Sequence, residues 1–386
     1  MSGGWRLLAA ALIAAAALQP ARSAFAQESA ATTTSFRDPQ DGWLDFSQFL
    51  DTAYGFIPLA APITEPAVGY GAVGALAFID RRAPGWGERG ARPNIAVVGA
   101  LGTENGTRGA FGGHLGSWMD GRLRTLVAVA DANVNLEFFG LGGDRPPGGP
   151  GLKYSLAARG GAAGASYRLG ATPLWVGARY ASVNTSVDLG DPDSGLAGFT
   201  SGDLGLRLAG VTPSLTLDLR DNFFTPTDGW YVDLSVPTFR EALGSDRNFQ
   251  KSTLTAIGYR PLGGATFLSV RGLAETSSSG TPFYLRPYVG LRGVQALRYQ
   301  GEEAASVEAE LRWQFHPRFS LVGFAGAGVA RSDASQAERD KSVTAGGVGF
   351  RYLIAREFGL HMGLDVAFGP DKPVIYVVFG NAWLRP

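Results

Sequence analysis

From about residue 54 to the C-terminus the chain alternates apolar and polar side chains, in segments of about ten residues separated by Gly, Pro, Asn and Asp. A period of two puts successive side chains on opposite faces of an extended strand. The alternation is sharpest late in the chain. In Ala305 to Phe315, Val307, Ala309, Leu311, Trp313 and Phe315 share one face, and Ser306, Glu308, Glu310, Arg312 and Gln314 share the other. Leu360, Met362, Leu364, Val366 and Phe368 oppose His361, Gly363, Asp365 and Ala367. Trp230, Val232, Leu234 and Val236 alternate with Tyr231, Asp233 and Ser235; Leu215, Leu217 and Leu219 alternate with Thr216, Asp218 and Arg220. A soluble sandwich would bury the apolar face and wet the charged one. A transmembrane barrel turns the apolar face to lipid and the polar face to its lumen. Soluble all-β chains commonly divide into domains of about 100 residues. Here the pattern runs for about 330 residues without a linker, which favours the barrel.

The predicted strands are 54–62, 67–80, 94–104, 106–118, 121–136, 153–168, 172–188 and 204–220, then 228–238, 247–261, 264–276, 304–315, 317–330, 342–353, 357–368 and 373–383, sixteen in all. Phe283 to Leu291 also alternates and would make seventeen. Single-chain bacterial barrels carry even numbers, with long extracellular loops and short periplasmic turns. The long gaps 137–152, 189–203, 277–303 and 331–341 alternate with short turns at 169–171, 261–263 and His316, so Phe283 to Leu291 is assigned to a loop. Residues 81–93 depart from this rule as a long periplasmic turn. A change of inward parity across Pro213 predicts a β-bulge there.

The N-terminus implies a compartment. Arg6 precedes the apolar run Leu7 to Leu18, too short to span a bilayer, and Ala24-Phe25-Ala26 offers small residues for cleavage. Residues 1–26 read as a signal peptide cut after Ala26, with Gln27 the first mature residue. Residues 27–53 read as a short periplasmic tail and 54–386 as the barrel. The location expected is the bacterial outer membrane, with lipid around the wall.

Composition narrows the chemistry. The 386 residues carry 34 basic and 34 acidic side chains, which gives no electrostatic basis for binding nucleic acid. Absent cysteine excludes a disulfide framework and a thiolate site. Gly69-Tyr70-Gly71-Ala72-Val73-Gly74 matches a dinucleotide fingerprint, but the extended run that follows reads as a glycine-rich strand rather than a helix. His114, His316 and His361 show no metal-ligand spacing, and a solvated lumenal pair is the reading for His361 and Asp365. No Gly-x-Ser-x-Gly elbow occurs. No catalytic, cofactor or metal site is therefore assigned, and the chain is expected not to be an enzyme.

Two stretches resemble a known family. Residues 214–230, with Asp218, Arg220, Asp221, Pro226 and Gly229, resemble the signature turn of the bacterial surface antigen barrels, the BamA/TamA-like outer-membrane assembly and translocation proteins. Residues 288–313 resemble their second signature: Leu291-Arg292-Gly293, then Arg298-Tyr299, then Glu308-Ala309-Glu310-Leu311-Arg312-Trp313. The resemblance implies a sixteen-strand barrel whose sixth extracellular loop folds into the lumen. It also implies a C-terminal strand ending in an assembly signal, here Phe379, Gly380 and Trp383, and hence assembly machinery as a partner during biogenesis. Two departures follow. About 27 residues precede the first strand, which places the chain in the subgroup lacking periplasmic POTRA modules. The family's lumenal Asp in Phe-x-Asp-x-Gly is replaced by Gly326.

The resemblance makes Arg292 the anchor of the loop. Glu308 and Glu310 project into the lumen one above the other, and two such carboxylates need a nearby cation. Arg312 supplies one and a tucked-in Arg292 another, while Gly293 lets the loop approach the wall. The function expected is insertion or movement of protein or lipid, by rearrangement of the loop or of the seam between first and last strands. Without POTRA modules it would need a separate periplasmic partner. The alternative is a passive channel or structural surface barrel.

Overall fold

The computed structural model describes residues 36–52, 55–80, 94–139, 151–189, 204–332 and 341–383. The expected signal peptide, residues 27–35 of the expected tail, the long turn 81–93 and the terminal Leu384, Arg385 and Pro386 lie outside the described residues. A short helix, α1 (Ser47–Thr52), precedes a single antiparallel sheet. Its first half comprises β1 (Gly55–Ile63), β2 (Gly71–Asp80), β3 (Asn94–Thr103), β4 (Arg108–Trp118), β5 (Leu123–Phe138), β6 (Leu152–Arg168), β7 (Leu174–Asp188) and β8 (Gly205–Asp218). The second half comprises β9 (Gly229–Ser235), β10 (Thr238–Phe239), β11 (Phe249–Gly263), β12 (Thr266–Ser277), β13 (Glu303–His316), β14 (Phe319–Arg331), β15 (Lys341–Ala355), β16 (Leu360–Phe368) and β17 (Val374–Phe379).

The seventeen segments fill sixteen positions. β9 and β10 both lie between β8 and β11, and they share one register on each side. Ser214 faces Ser235 and Val211 faces Thr238, while Thr253 faces Ser235 and Gln250 faces Thr238. The interruption falls at Val236-Pro237, where Pro237 cannot donate to a ladder. The bulge expected at Pro213 is absent, and β7 pairs through it without a shift.

The parity change that predicted the bulge has another cause. In the membrane band of β5 to β8, outward side chains such as Val127, Val129, Val176 and Leu215 are aliphatic and exposed. Above that band the strands continue, and the apolar set moves to the inner face. Leu136, Phe138, Tyr154, Val187, Leu206 and Leu208 point inward and pack on Phe283 and Tyr284 of the long loop. On the outer face at this level Asp131 and Arg159 form an exposed pair at 3.6 Å. Lipid sets the pattern below and the inserted loop sets it above.

The polar face of the late strands lines the lumen as the alternation predicts. Glu308, Glu310, Arg312, Arg351 and Asp365 are buried inside, and Val307, Leu311, Trp313, Val348 and Leu364 are exposed outside. Neither His361 nor Asp365 is solvated: they are 6% and 0% exposed.

Two features surround the seam. Ladder registers run continuously from β1 to β17, but among the described residues none joins β17 back to β1. There the Val377 amide donates to Thr64 Oγ1 at 3.4 Å, and Phe379 packs against the cluster around Ala61 and Val73. Second, residues 36–52 are folded, whereas the sequence reads as a tail. Arg37 and Leu44 form a bridge, and Leu50 of α1 packs on Ile354, Phe358 and Leu360 at the periplasmic rim.

Candidate functional site

The loop between β12 and β13 enters the lumen in stages. The Phe283–Leu285 turn seats in the upper core, where Thr185 and Tyr284 share a hydrogen bond of 2.7 Å. Tyr288 then bridges to Gln300, and Arg286 pairs with Glu302 at 2.6 Å. Val289, Leu291 and Val294 pack on Ala304, Ala330 and Val343 of the wall. Two small wall positions make room: a Cβ on Gly328 would lie 2.3 Å from Val289, and one on Gly326 would lie 2.8 Å from Leu291.

That descent delivers Arg292 to three carboxylates. Its Nε donates to Glu308 at 2.6 Å, and its Nη1 lies 2.7 Å from both Glu310 and Asp365. Its guanidinium sits 3.7 Å above the Phe324 ring, a cation–π contact in a water-poor site. Burial opposes the charge, and Glu310, Glu308 and Asp365 offset that cost. Gly293 adopts φ +86°, and its amide donates to the Tyr376 hydroxyl at 3.1 Å. A Cβ there would meet the Phe368 carbonyl at 3.1 Å, so the missing side chain lets the loop backbone come close to the wall.

Arg312 interacts electrostatically with Glu310 and packs 4.4 Å over the Phe267 ring, and other cations attend the carboxylates as well. Arg271 approaches Glu308 at 3.6 Å, and Arg351 pairs with Asp365 and reaches Glu310 at 3.9 Å. Across β13 and β14, Glu308 faces Gly326 and Arg312 faces Val322, so the two lie four residues apart along the strand. That separation places Arg312 below the anchor.

The C-terminus contributes a residue that sequence reasoning assigned elsewhere. β17 ends at Phe379, earlier than the predicted 383. Gly380 at φ +71° turns the chain inward, its amide donating to the His361 carbonyl at 2.7 Å. Trp383 then packs with Tyr231, Ile257 and Tyr259, and its Nε1 donates to Glu308 at 3.3 Å. The ring lies 5.6 Å from the guanidinium carbons of both Arg271 and Arg292. A ring so placed excludes water from beneath the anchor.

The signature turn between β8 and β9 is a rigid support. Arg220 donates two hydrogen bonds of 2.8 Å to Asp218 and lies 4.6 Å over the Tyr231 ring. Asp221 accepts from the Thr227 amide at 2.9 Å, and Pro226 is buried. Gly229 takes φ +103°, where a Cβ would come within 2.2 Å of the Leu219 carbonyl. Asn222 donates to the Phe358 carbonyl at 3.0 Å, tying this turn to the one between β15 and β16. His361 Nδ1 lies 3.2 Å from both Thr225 Oγ1 and the Gly359 carbonyl.

Arg351, Arg271 and Tyr376 are the site residues that sequence reasoning missed, while Asp365 and Trp383 were read as a solvated lumenal residue and part of the assembly signal. One signal was present. Gly349 and Gly363 surround the Arg351–Asp365 pair, and a Cβ on either would strike it, at 2.0 Å from Asp365 or 2.8 Å from Arg351. Among the described residues no group of three or more His, Asp or Glu side chains is arranged to hold a metal ion.

The Omp85 superfamily domain matches residues 154–370, more than half of the chain. Among solved structures, the chain is similar to BamA from Haemophilus ducreyi lacking POTRA domains 1-3, with a TM-score of 0.56 at 10% identity over 89% of this chain and 79% of that one. CdiB from Acinetobacter baumannii aligns with a TM-score of 0.56 at 10% identity, covering 84% of this chain and 59% of that one. CdiB from Escherichia coli aligns with a TM-score of 0.57 at 12% identity, covering 85% and 60%. The chain thus spans about three-fifths of the length of the two CdiB chains. At these identities the structures speak for the fold. No curated protein sequence matches the chain significantly. The domain match covers both signature stretches and the strands that hold Arg292, and the chain belongs to the Omp85 superfamily.

Proposed function

We propose that this outer-membrane barrel inserts or translocates protein or lipid, working with a separate periplasmic partner, by rearranging its lumenal loop or its β1–β17 seam. The observation that carries the reading is the state of the lumen. The Arg292 loop and the Trp383 segment enter it and meet at Glu308, the loop locked to the wall through buried ion pairs, an arrangement that a constantly open channel does not need. The seam without a ladder is the second movable part. Strand edges that lack partners are the places where a sheet accepts another chain. The chain reaches the membrane with residues 1–26 removed as a signal peptide. No bond-making chemistry is assigned to it.

Affinity purification from the outer membrane after cross-linking tests this reading, paired with single-channel recording of the purified barrel. A periplasmic protein that co-purifies stoichiometrically supports it. Steady conductance in the absence of any partner would replace it with a passive channel. Intact mass tests the leader: a chain starting at Gln27 is expected, and a retained Met1 excludes cleavage.

A further inference from the structure

β1 is poorly equipped to hold the seam by its backbone. Pro58 and Pro62 lack N–H groups and share one parity, so both missing donors fall on the same edge of the strand. The ladder to β2 runs through both prolines without a break, which leaves the seam edge as the deficient one. On the other side of the seam β17 is short. It stops at Phe379, opposite Met362, so the first residues of β16 extend past it toward the periplasm.

Residues 36–52 occupy the periplasmic rim at this point. They lead into β1, which starts at Gly55, yet they grip the wall beyond β17. Arg318, in the turn between β13 and β14, is 0% exposed. Asp38 and Asp45 each lie 2.5 Å from it and Asp41 lies 2.7 Å away. Arg318 also donates to the Leu353 carbonyl at 3.0 Å. Arg356, in the turn between β15 and β16, pairs with Asp38 at 3.1 Å and with Asp41. The Phe46 amide donates to the Ile354 carbonyl at 2.7 Å, and Leu50 packs on Leu360 where β17 has ended. One short segment is thus covalently continuous with one edge of the seam and ion-paired to the other side.

We propose that residues 36–52 are a periplasmic clasp on the β1–β17 seam, and that release of Arg318 and Arg356 by its aspartates lets the seam part. The clasp deepens the reading of the seam as a movable part and rests on it. Two turns separated by a β-hairpin, with three aspartates converging on one buried guanidinium, hold the segment more firmly than a surface pair could.

The chain has no cysteine, so introduced pairs report without background. Thr64→Cys with Val377→Cys places thiols across the seam, at positions already within 3.4 Å of each other through Thr64 Oγ1 and the Val377 amide. Oxidative cross-linking in outer membranes reads seam closure directly, whether or not any cargo moves. With the clasp intact the cross-link should form readily. In the Asp38→Asn, Asp41→Asn, Asp45→Asn background it should form at least about tenfold more slowly, and tryptic cleavage after Arg37 should rise. Arg356→Ala, which leaves buried Arg318 in place, should shift both readouts the same way. A freed N-terminal segment with unchanged seam cross-linking would overturn the clasp. A segment that stays protected without its aspartates would overturn the ion cluster as its grip.

Discussion

Replacing Arg292 with alanine removes a side chain that touches Glu308, Glu310 and Asp365 together. All three carboxylates are nine-tenths or more buried. Removing one partner of a buried ion pair costs about 3–5 kcal/mol. Arg351 still pairs with Asp365 and Arg271 stays 3.6 Å from Glu308, so the lower end of that range, about 3 kcal/mol, applies here. That corresponds to roughly a hundredfold shift from docked toward released loop. Arg298 lies just beyond the anchor and is followed by Tyr299, so trypsin added from the outside reads release as cleavage after Arg298. Wild-type protein should resist, Arg292→Ala should be cut readily, and Arg292→Lys should fall between, because lysine keeps the charge but loses the fork that spans two acceptors. Full protection in Arg292→Ala, at wild-type thermal stability, would show that apolar packing alone holds the loop and would refute the anchor.

The remaining expectations concern the C-terminus, the clasp and the wall. Trp383→Phe should lower the temperature at which the compact gel band is lost only slightly, about 0.5–1.5 kcal/mol for one hydrogen bond, whereas Trp383→Ala should cost about 3–5 kcal/mol; equal shifts would remove the ring from the lumenal packing. Deleting 374–386 should abolish assembly and deleting 384–386 should be mild, as read by the fraction of protein in the outer membrane; equal phenotypes would contradict this. Asp41 is held at about 2, below its ordinary 3.8, first by its hydrogen bond with Arg318, and Asp45 is also lowered: burial works against this, but hydrogen bonds from Ser47 and Arg318 prevail. Carboxylates lowered by folding stabilise above their ordinary pKa and lose that contribution only as pH falls toward the folded value. Hydrogen-exchange protection of residues 36–52 should therefore be flat from about pH 8 to about pH 5, and a midpoint inside that window would refute the clasp chemistry. The barrel should extract only with detergent and run faster unheated than boiled, because a hydrogen-bonded wall resists unravelling; solubility without detergent would exclude it.

The period-two alternation was enough to place the wall, because lipid imposes one rule on every outward residue of the membrane band. It was misleading in the upper part of β8. There Leu206 and Leu208 turn inward to meet Phe283, and a change of environment reads in sequence like a change of register. The folded segment 36–52 was not legible for a different reason. Its aspartates sit at 38, 41 and 45, while their partner Arg318 lies more than 270 residues away in a two-residue turn. No local period connects the two. Trp383 was hidden by its position shortly after the last strand, where an aromatic reads as the end of that strand. Gly380 in the left-handed region is what turns it inward.

Gly326 looks like a lost carboxylate, but Arg292 finds a carboxylate elsewhere, on β16. A side chain at 326 would occupy the space of Leu291, since even a Cβ would lie 2.8 Å from that residue. With the wall bare at 326, Leu291 packs flat against β13 and β14, and the next residue carries its guanidinium across Phe324. That path ends at β16, where Asp365 accepts from Arg292 Nη1 at 2.7 Å. A carboxylate on β16 needs its own cation on the adjacent strand when the loop is withdrawn, and Arg351 on β15 pairs with it directly. The two glycines that a Cβ would turn into clashes, Gly349 and Gly363, clear space for that pair. Withdrawing Arg292 would therefore leave Asp365 neutralised on the wall, while Glu308 and Glu310 lose their closest cation. The carboxylates of β13, more than Asp365, supply the pull that returns the loop to the lumen.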